Sequence, residues 1–152
     1  MEEFVHDALV ERDAGRAVPF ATVLVKSVGA DRVVGTTRFG AIDAANRRLE
    51  IGWTWIGREW QRTGVNTEAK YLMLRHAFEV WGALRVELKT DSLNARSRAA
   101  ILRIGATQEG VFRNHMVTRD GRVRNSVYFS IVAEDWQAVK SRIELLMDRE
   151  DH

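Results

Sequence analysis

The hydrophobic period of this chain switches near residue 60 from that of strands to that of a helix, and that switch limits what it can fold into. Before it, residues 20–26, 33–39 and 49–56 are short, apolar and rich in β-branched side chains. Turn signals around Gly29, Asp31 and Asn46 separate them, which predicts three strands of an antiparallel meander. After it, Ala69, Leu72, Met73, Ala77 and Val80 recur at helical spacing, with Tyr71, Leu74, Phe78 and Trp81 on a neighbouring face. The spacing predicts a helix over 65–81, buried on two sides and ended by Gly82. His76 falls on its apolar face beside Leu72 and Met73 and reads as structural.

The rest alternates in the same way. Phe4, Val5, Ala8 and Leu9 predict an opening helix that Gly15 stops, and Pro19 divides it from the first strand. Residues 85–90 alternate polar and apolar as a strand. Asp91 or Ser92 is the expected cap of a helix over 93–104, stopped by Gly105. A strand near 107–113, a two-residue hairpin turn at Asp120-Gly121, a strand over 123–132 and a helix from Glu134 or Asp135 to Met147 complete the order. This is an α/β (α+β) chain with a mixed sheet flanked by helices. Its strand–loop–helix–strand unit over 49–90 is where such folds bind ligands.

Composition narrows the function. With 152 residues and 45% hydrophobic content, one domain with one core is expected and disorder is not. No apolar run approaches the roughly 18 residues of a membrane span. Glu2, Glu3, Asp7, Glu11, Arg12 and Asp13 are unlike a signal peptide, so a cytoplasmic protein is expected. The chain has no cysteine, which removes thiolate nucleophiles and Cys-based zinc sites, and no His and carboxylate cluster has ligand spacing, so no metal is expected. Net charge is +2, and Arg96, Arg98, Arg103, Arg119, Arg122 and Arg124 form no unbroken basic run, so no nucleic-acid partner is expected.

The loop Gln61-Arg62-Thr63-Gly64-Val65-Asn66-Thr67 joins a strand to the helix. A helix N-terminus offers unpaired N–H groups and the positive end of a dipole, and Gly64 lets an anion approach. Taken alone, a glycine before a helix is more often only a turn. The surroundings add to it. The loop resembles the phosphate loop of the GNAT acetyltransferases, Gln/Arg-x-x-Gly-x-Gly/Ala, with Asn66 in place of the last small residue. Gly64-Val65-Asn66-Thr67-Glu68-Ala69 resembles the Gly-Tyr-Ala-Thr-Glu-Ala run of the RimJ/RimL-like branch, and Glu50-Ile51-Gly52-Trp53-Thr54-Trp55 its Glu-Ile-Gly-Tyr-Trp strand. Phe78 followed by Arg85-Val86-Glu87-Leu88, Asn94-Ala95-Arg96-Ser97, Gly105-Ala106 and Glu109-Gly110-Val111-Phe112-Arg113 follow in the branch's order. The likeness runs over about 19–132.

The resemblance implies a mostly antiparallel sheet with a central splay between the strands over 49–56 and 85–90. It implies acetyl-coenzyme A as co-substrate. The pantetheine arm would bond the open strand edge at Trp53, Thr54, Trp55 and Ile56, and the pyrophosphate the amides of Arg62, Thr63, Gly64, Val65, Asn66 and Thr67 behind Gln61. Asn94 and Ser97 would face the arm from the other side. A backbone N–H such as that of Trp55 would hold the oxyanion, Glu50 would be the base and Ser97 would serve the leaving sulfur. Glu50 reads equally as a solvent-facing carboxylate paired with an arginine, Ser97 as a helix serine bonded to its own backbone, and Glu68 as a first-turn residue suited to the dipole. Many relatives carry a tyrosine acid seven residues after the asparagine, a register that falls on Ile101 here. Of Trp53 and Trp55, one is expected in the core and one walling the acceptor site, and His115 is a candidate for the acceptor mouth.

The family's opening strand and first helix have no counterpart before residue 2, so a homodimer covering the sheet edge is expected. The acceptor implied is a primary amine, either a protein N-terminus or a small molecule. The alternatives are transfer of another acyl group, such as succinyl, and a module that binds acetyl-coenzyme A without turnover.

Overall fold

The computed structural model describes residues 1–26 and 28–150. Its elements are α1 (Glu2–Asp13), β1 (Val18–Leu24), β2 (Arg32–Asp43), β3 (Arg48–Ile56), α2 (Gly64–Arg75), β4 (Arg85–Asp91), α3 (Ala95–Arg103), β5 (Thr107–Val117), β6 (Val123–Val132) and α4 (Trp136–Glu150). They build one six-stranded sheet in the order β1-β2-β3-β4-β6-β5. Every pairing is antiparallel except β3 with β4.

One face of the sheet carries the core. Leu49 and Ile51 of β3, Val86 and Leu88 of β4, and Val127, Phe129 and Ile131 of β6 alternate inward. Met73, Leu74 and Ala77 of α2, Ile101 of α3 and Trp136, Val139 and Ile143 of α4 close over them. Each of these strand residues is at most 4% exposed, so burial of this face is the main stabilising term. On the other face α1 packs at the β1–β2 end, its Phe4 ring 4.9 Å from the guanidinium of Arg38.

Gly15 ends α1 as read, at φ 72°. Its N–H bonds the carbonyl of Arg12 and that of Arg16 bonds Glu11, the paired arrangement that lets a helix stop at a left-handed glycine. Several boundaries differ from expectation. Pro19 lies inside β1, paired with Arg38, and the edge position tolerates its missing donor. The long helix is α-helical only to Arg75 and continues as a π-turn from His76 to Val80. It is buried along one stripe, Thr67, Lys70, Met73, Leu74 and Ala77, while Leu72, Val80 and Trp81 are exposed. His76 is exposed as well, edge-on to Trp81 at 4.9 Å.

The cap of α3 is Asn94, whose side-chain oxygen accepts from the N–H of Ser97 at 3.0 Å. Asp91 instead accepts from Leu93 in the turn before it. The β5–β6 hairpin pairs Val117 with Val123, so its loop has the five residues 118–122, with Gly121 closing a tight turn on Thr118.

Candidate functional site

β3 and β4 run parallel for only three pairs, Arg48 with Arg85, Leu49 with Val86 and Glu50 with Glu87. Beyond them β3 stays paired with β2 and β4 with β6, so the two strands part and leave a cleft through the middle of the sheet. The parting coincides with a bulge in β3. The register against β2 shifts between Thr36 and Arg38, and Trp53 takes φ 51°, a left-handed conformation rare outside glycine.

The bulge sorts the side chains. Trp53 and Trp55 both project away from the core, 42% and 52% exposed, so neither is the core residue expected. Thr54 turns toward α2, accepts a hydrogen bond from Lys70 Nζ at 2.8 Å and lies 3.0 Å from the Thr37 hydroxyl. Ile56 is buried. The indole of Trp53 lies flat across β2 because residue 40 is glycine; a Cβ there would overlap the ring.

Gln61 closes the mouth of the cleft. Its side-chain amide donates to the carbonyl of Ile56 at 3.0 Å and accepts from Arg96 of α3 at 2.9 Å. Arg62 follows at φ 64° and is exposed. Thr63 is the cap of α2: its hydroxyl donates to Trp60 O at 2.7 Å and accepts from Val65 N at 3.4 Å. Gly64 opens the helix, Thr67 is buried, and Asn66 holds a side-chain oxygen that is enclosed with no partner. Glu68 lies beyond the first turn. Across the cleft, Asn94 spends its oxygen on the cap and Ser97 is half-buried.

On the face away from the core, Glu50 is 4% exposed and pairs with Lys89 Nζ at 3.1 Å. It is neither solvent-facing nor paired with an arginine. Burial raises its pKa above the usual glutamate value, and the Lys89 ammonium opposes that shift. Lys89 also lies 5.7 Å from the Trp53 ring and 5.9 Å from that of Tyr128. His115 stands on this face with Nδ1 2.9 Å from Ser126 Oγ and its ring against Phe112 and Tyr128. A cleft of about 710 Å³ lies elsewhere on the same face, between α1 and β1–β3. Trp55 is the candidate site residue that lines it, beside Phe4, Val5, Ala8 and Leu9 of the opening helix.

Two lysines were missed. Lys70 sits in the buried stripe of α2, where burial lowers its pKa to about 8. Lys89 alternates outward in β4 at the position that meets Glu50. Its strand period carried that signal, but Lys70 interrupts an apolar stripe and gave none.

The model of the acetyltransferase (GNAT) domain family matches residues 1–107. The chain belongs to the GNAT acetyltransferase family. Over 99 residues it is 33% identical to the Bacillus subtilis (strain 168) protein named "Putative ribosomal N-acetyltransferase YdaF", covering 65% of this chain and 53% of that one. The chain thus spans about half the length of that GNAT relative. The crystal structure of a GCN5-related N-acetyltransferase from Brucella melitensis matches with a TM-score of 0.83 and 31% identity, over 96% of this chain and 63% of that one. That of the microcin C7 self-immunity acetyltransferase MccE, in complex with acetyl-CoA and AMP, matches with a TM-score of 0.72 and 25% identity, over 86% and 68%. Among the described residues, no group of three or more His, Asp or Glu side chains is placed to hold a metal ion, and no helix is long and apolar enough to cross a membrane.

Proposed function

We propose that this chain transfers an acetyl group from acetyl-coenzyme A to a primary amine. The observation that carries the reading is the cleft where β3 leaves β4, with the N-terminus of α2 at its mouth. The residues present fit the co-substrate. Past Glu50, β3 has no partner on its β4 side among the described residues, so its backbone suits an extended pantetheine arm. The first N–H groups of α2 and the exposed Arg62 suit a diphosphate. The enclosed, unpartnered oxygen of Asn66 marks a polar contact that the chain itself leaves unmade.

Acetyl-coenzyme A supplies the acyl group as a thioester. The chain's residues handle the proton and the charge. Glu50 takes the proton from the acceptor ammonium, directly or through water, because an amine attacks only when neutral. A backbone N–H of the Trp53–Thr54–Trp55 bulge holds the negative charge that develops on the acyl oxygen. As the N–C bond forms the C–S bond breaks, the proton shed by the new amide nitrogen goes to the departing thiolate, and Ser97 hydrogen-bonds that sulfur. Asn94 orders this side of the cleft by capping α3. We place the protein in the cytoplasm. We also read it as a homodimer joined near the exposed edge strand β1; light scattering that gives one chain per particle at micromolar concentration would refute the dimer.

The test is acetyl-coenzyme A titrated against wild type and Gly64→Glu. The carboxylate at the helix N-terminus is expected to weaken affinity at least 100-fold. Equal affinity would place the phosphates elsewhere, and binding without thiol release across a broad amine panel would exclude transfer.

A further inference from the structure

Arg38 is 5% exposed, yet its guanidinium makes no hydrogen bond or ion pair with any described residue. It lies between two rings, 4.9 Å from Phe4 and 5.0 Å from Trp53. None of its nitrogens is among the enclosed atoms without a partner, so what exposure it keeps includes its polar tip. Asp7 and Glu11 of α1 act on it from a distance, and burial works against its charge. Glu50, the carboxylate beside it on the sheet, is taken by Lys89. A buried cation with unmet donors is costly unless something completes it.

Its position says what would complete it. In the β2–β3 ladder Arg38 pairs with Gly52 and Gly40 with Glu50, so Arg38 and Glu50 are diagonal neighbours on one face. Diagonal neighbours stand roughly 7–8 Å apart, so both side chains are within reach of one small zwitterion. The glycine at 40 lets the Trp53 indole lie beside Arg38, over the position opposite Glu50. A planar guanidinium held against a ring presents its edge donors in a fork that matches a carboxylate.

We propose that Arg38 anchors the acceptor by a carboxylate adjacent to its amine, so that the acceptor is a free amino acid or a close analogue. This rests on the acyl-transfer reading above. With the carboxylate on Arg38, the amine is directed toward Glu50 and the bulge of β3. A peptide N-terminus has an amide where this carboxylate would be and leaves the guanidinium fork half-used.

The test compares acceptors with acetyl-coenzyme A held saturating: the standard amino acids, and for each one acetylated, its amide and its decarboxylated amine. Wild type is expected to favour the carboxylate at least tenfold in kcat/KM over both analogues. Arg38→Lys keeps the charge and the stem but not the fork. It is expected to raise KM for the amino acid at least tenfold, with kcat within threefold, KM for acetyl-coenzyme A unchanged, and rates on the decarboxylated amine unmoved. A merely structural Arg38 would lower the melting temperature and all three acceptors alike, and that outcome overturns the proposal. So does acetylation of peptides but of no free amino acid. If no amine of any class is acetylated, the transfer reading fails by itself. Amino-acid binding is then read from the tryptophan indole N–H resonances. Shifts that need the carboxylate and vanish in Arg38→Lys uphold the anchor, and their absence removes it.

Discussion

Glu50 sits between two opposing influences, a buried site that favours its neutral form and an ammonium 3.1 Å away that favours its charged one. A base acts deprotonated, so activity must fall as pH drops through the carboxyl's raised pKa. Glu50→Gln is expected to lower kcat about 100-fold and to remove that acid limb from the profile of kcat/KM against pH. Lys89→Met removes the ammonium that holds the pKa down, so its acid limb should move to higher pH; an unmoved limb would assign the titration to another group. The sequence put Glu50 in a strand and left it either a base or a solvent-facing partner of an arginine; its burial was not legible. Nor was its partner, because a pairing between strands 39 residues apart depends on the register of β3 with β4.

Among the elements, the sequence was clearest where period and punctuation agreed. β3, β4 and β6 lie within a residue or so of their predicted bounds, and Gly15 and Gly105 stop their helices at positive φ. It was least clear where several residues compete for one cap. Asp91, Ser92 and Asn94 are all good N-caps, and only the turn that ties Asp91 to Leu93 hands the role to Asn94. Asn94→Ala should cost about 1 kcal/mol of stability, measured by urea denaturation. Asn94→Ser, which keeps a capping oxygen, should recover most of it and hold acetyl-coenzyme A affinity near wild type. Loss of affinity in the serine variant with stability intact would mean that the amide itself touches the co-substrate. The π-turn after Arg75 left no trace in the pattern, since one wider turn shifts the period by less than the spacing of apolar residues resolves.

For the whole molecule, the fold class followed from the order of elements and the parting of the sheet from the family resemblance, while the charge buried inside followed from neither. Lys70 holds a pKa of about 8 in the fold, against roughly 10.4 when unfolded. The fold favours its neutral form. The unfolded chain therefore binds more protons between these values, and stability from this group rises with pH from about 8 to about 10.4. Below 8 the penalty is complete, of order 3 kcal/mol for a shift of this size. Lys70→Met should melt higher than wild type at pH 7, and the difference should shrink by pH 10; parallel melting curves at both values would show that Lys70 is not the source. The hydroxyls of Thr37 and Thr54 stand 3.0 Å apart and can still satisfy each other in the variant. A different consequence follows from Gln61, whose one side chain spans from the end of β3 to α3. A molecule entering the cleft from that end would part both contacts and one leaving would do so again, so Gln61→Ala is expected to speed binding and release of acetyl-coenzyme A together and to change affinity little.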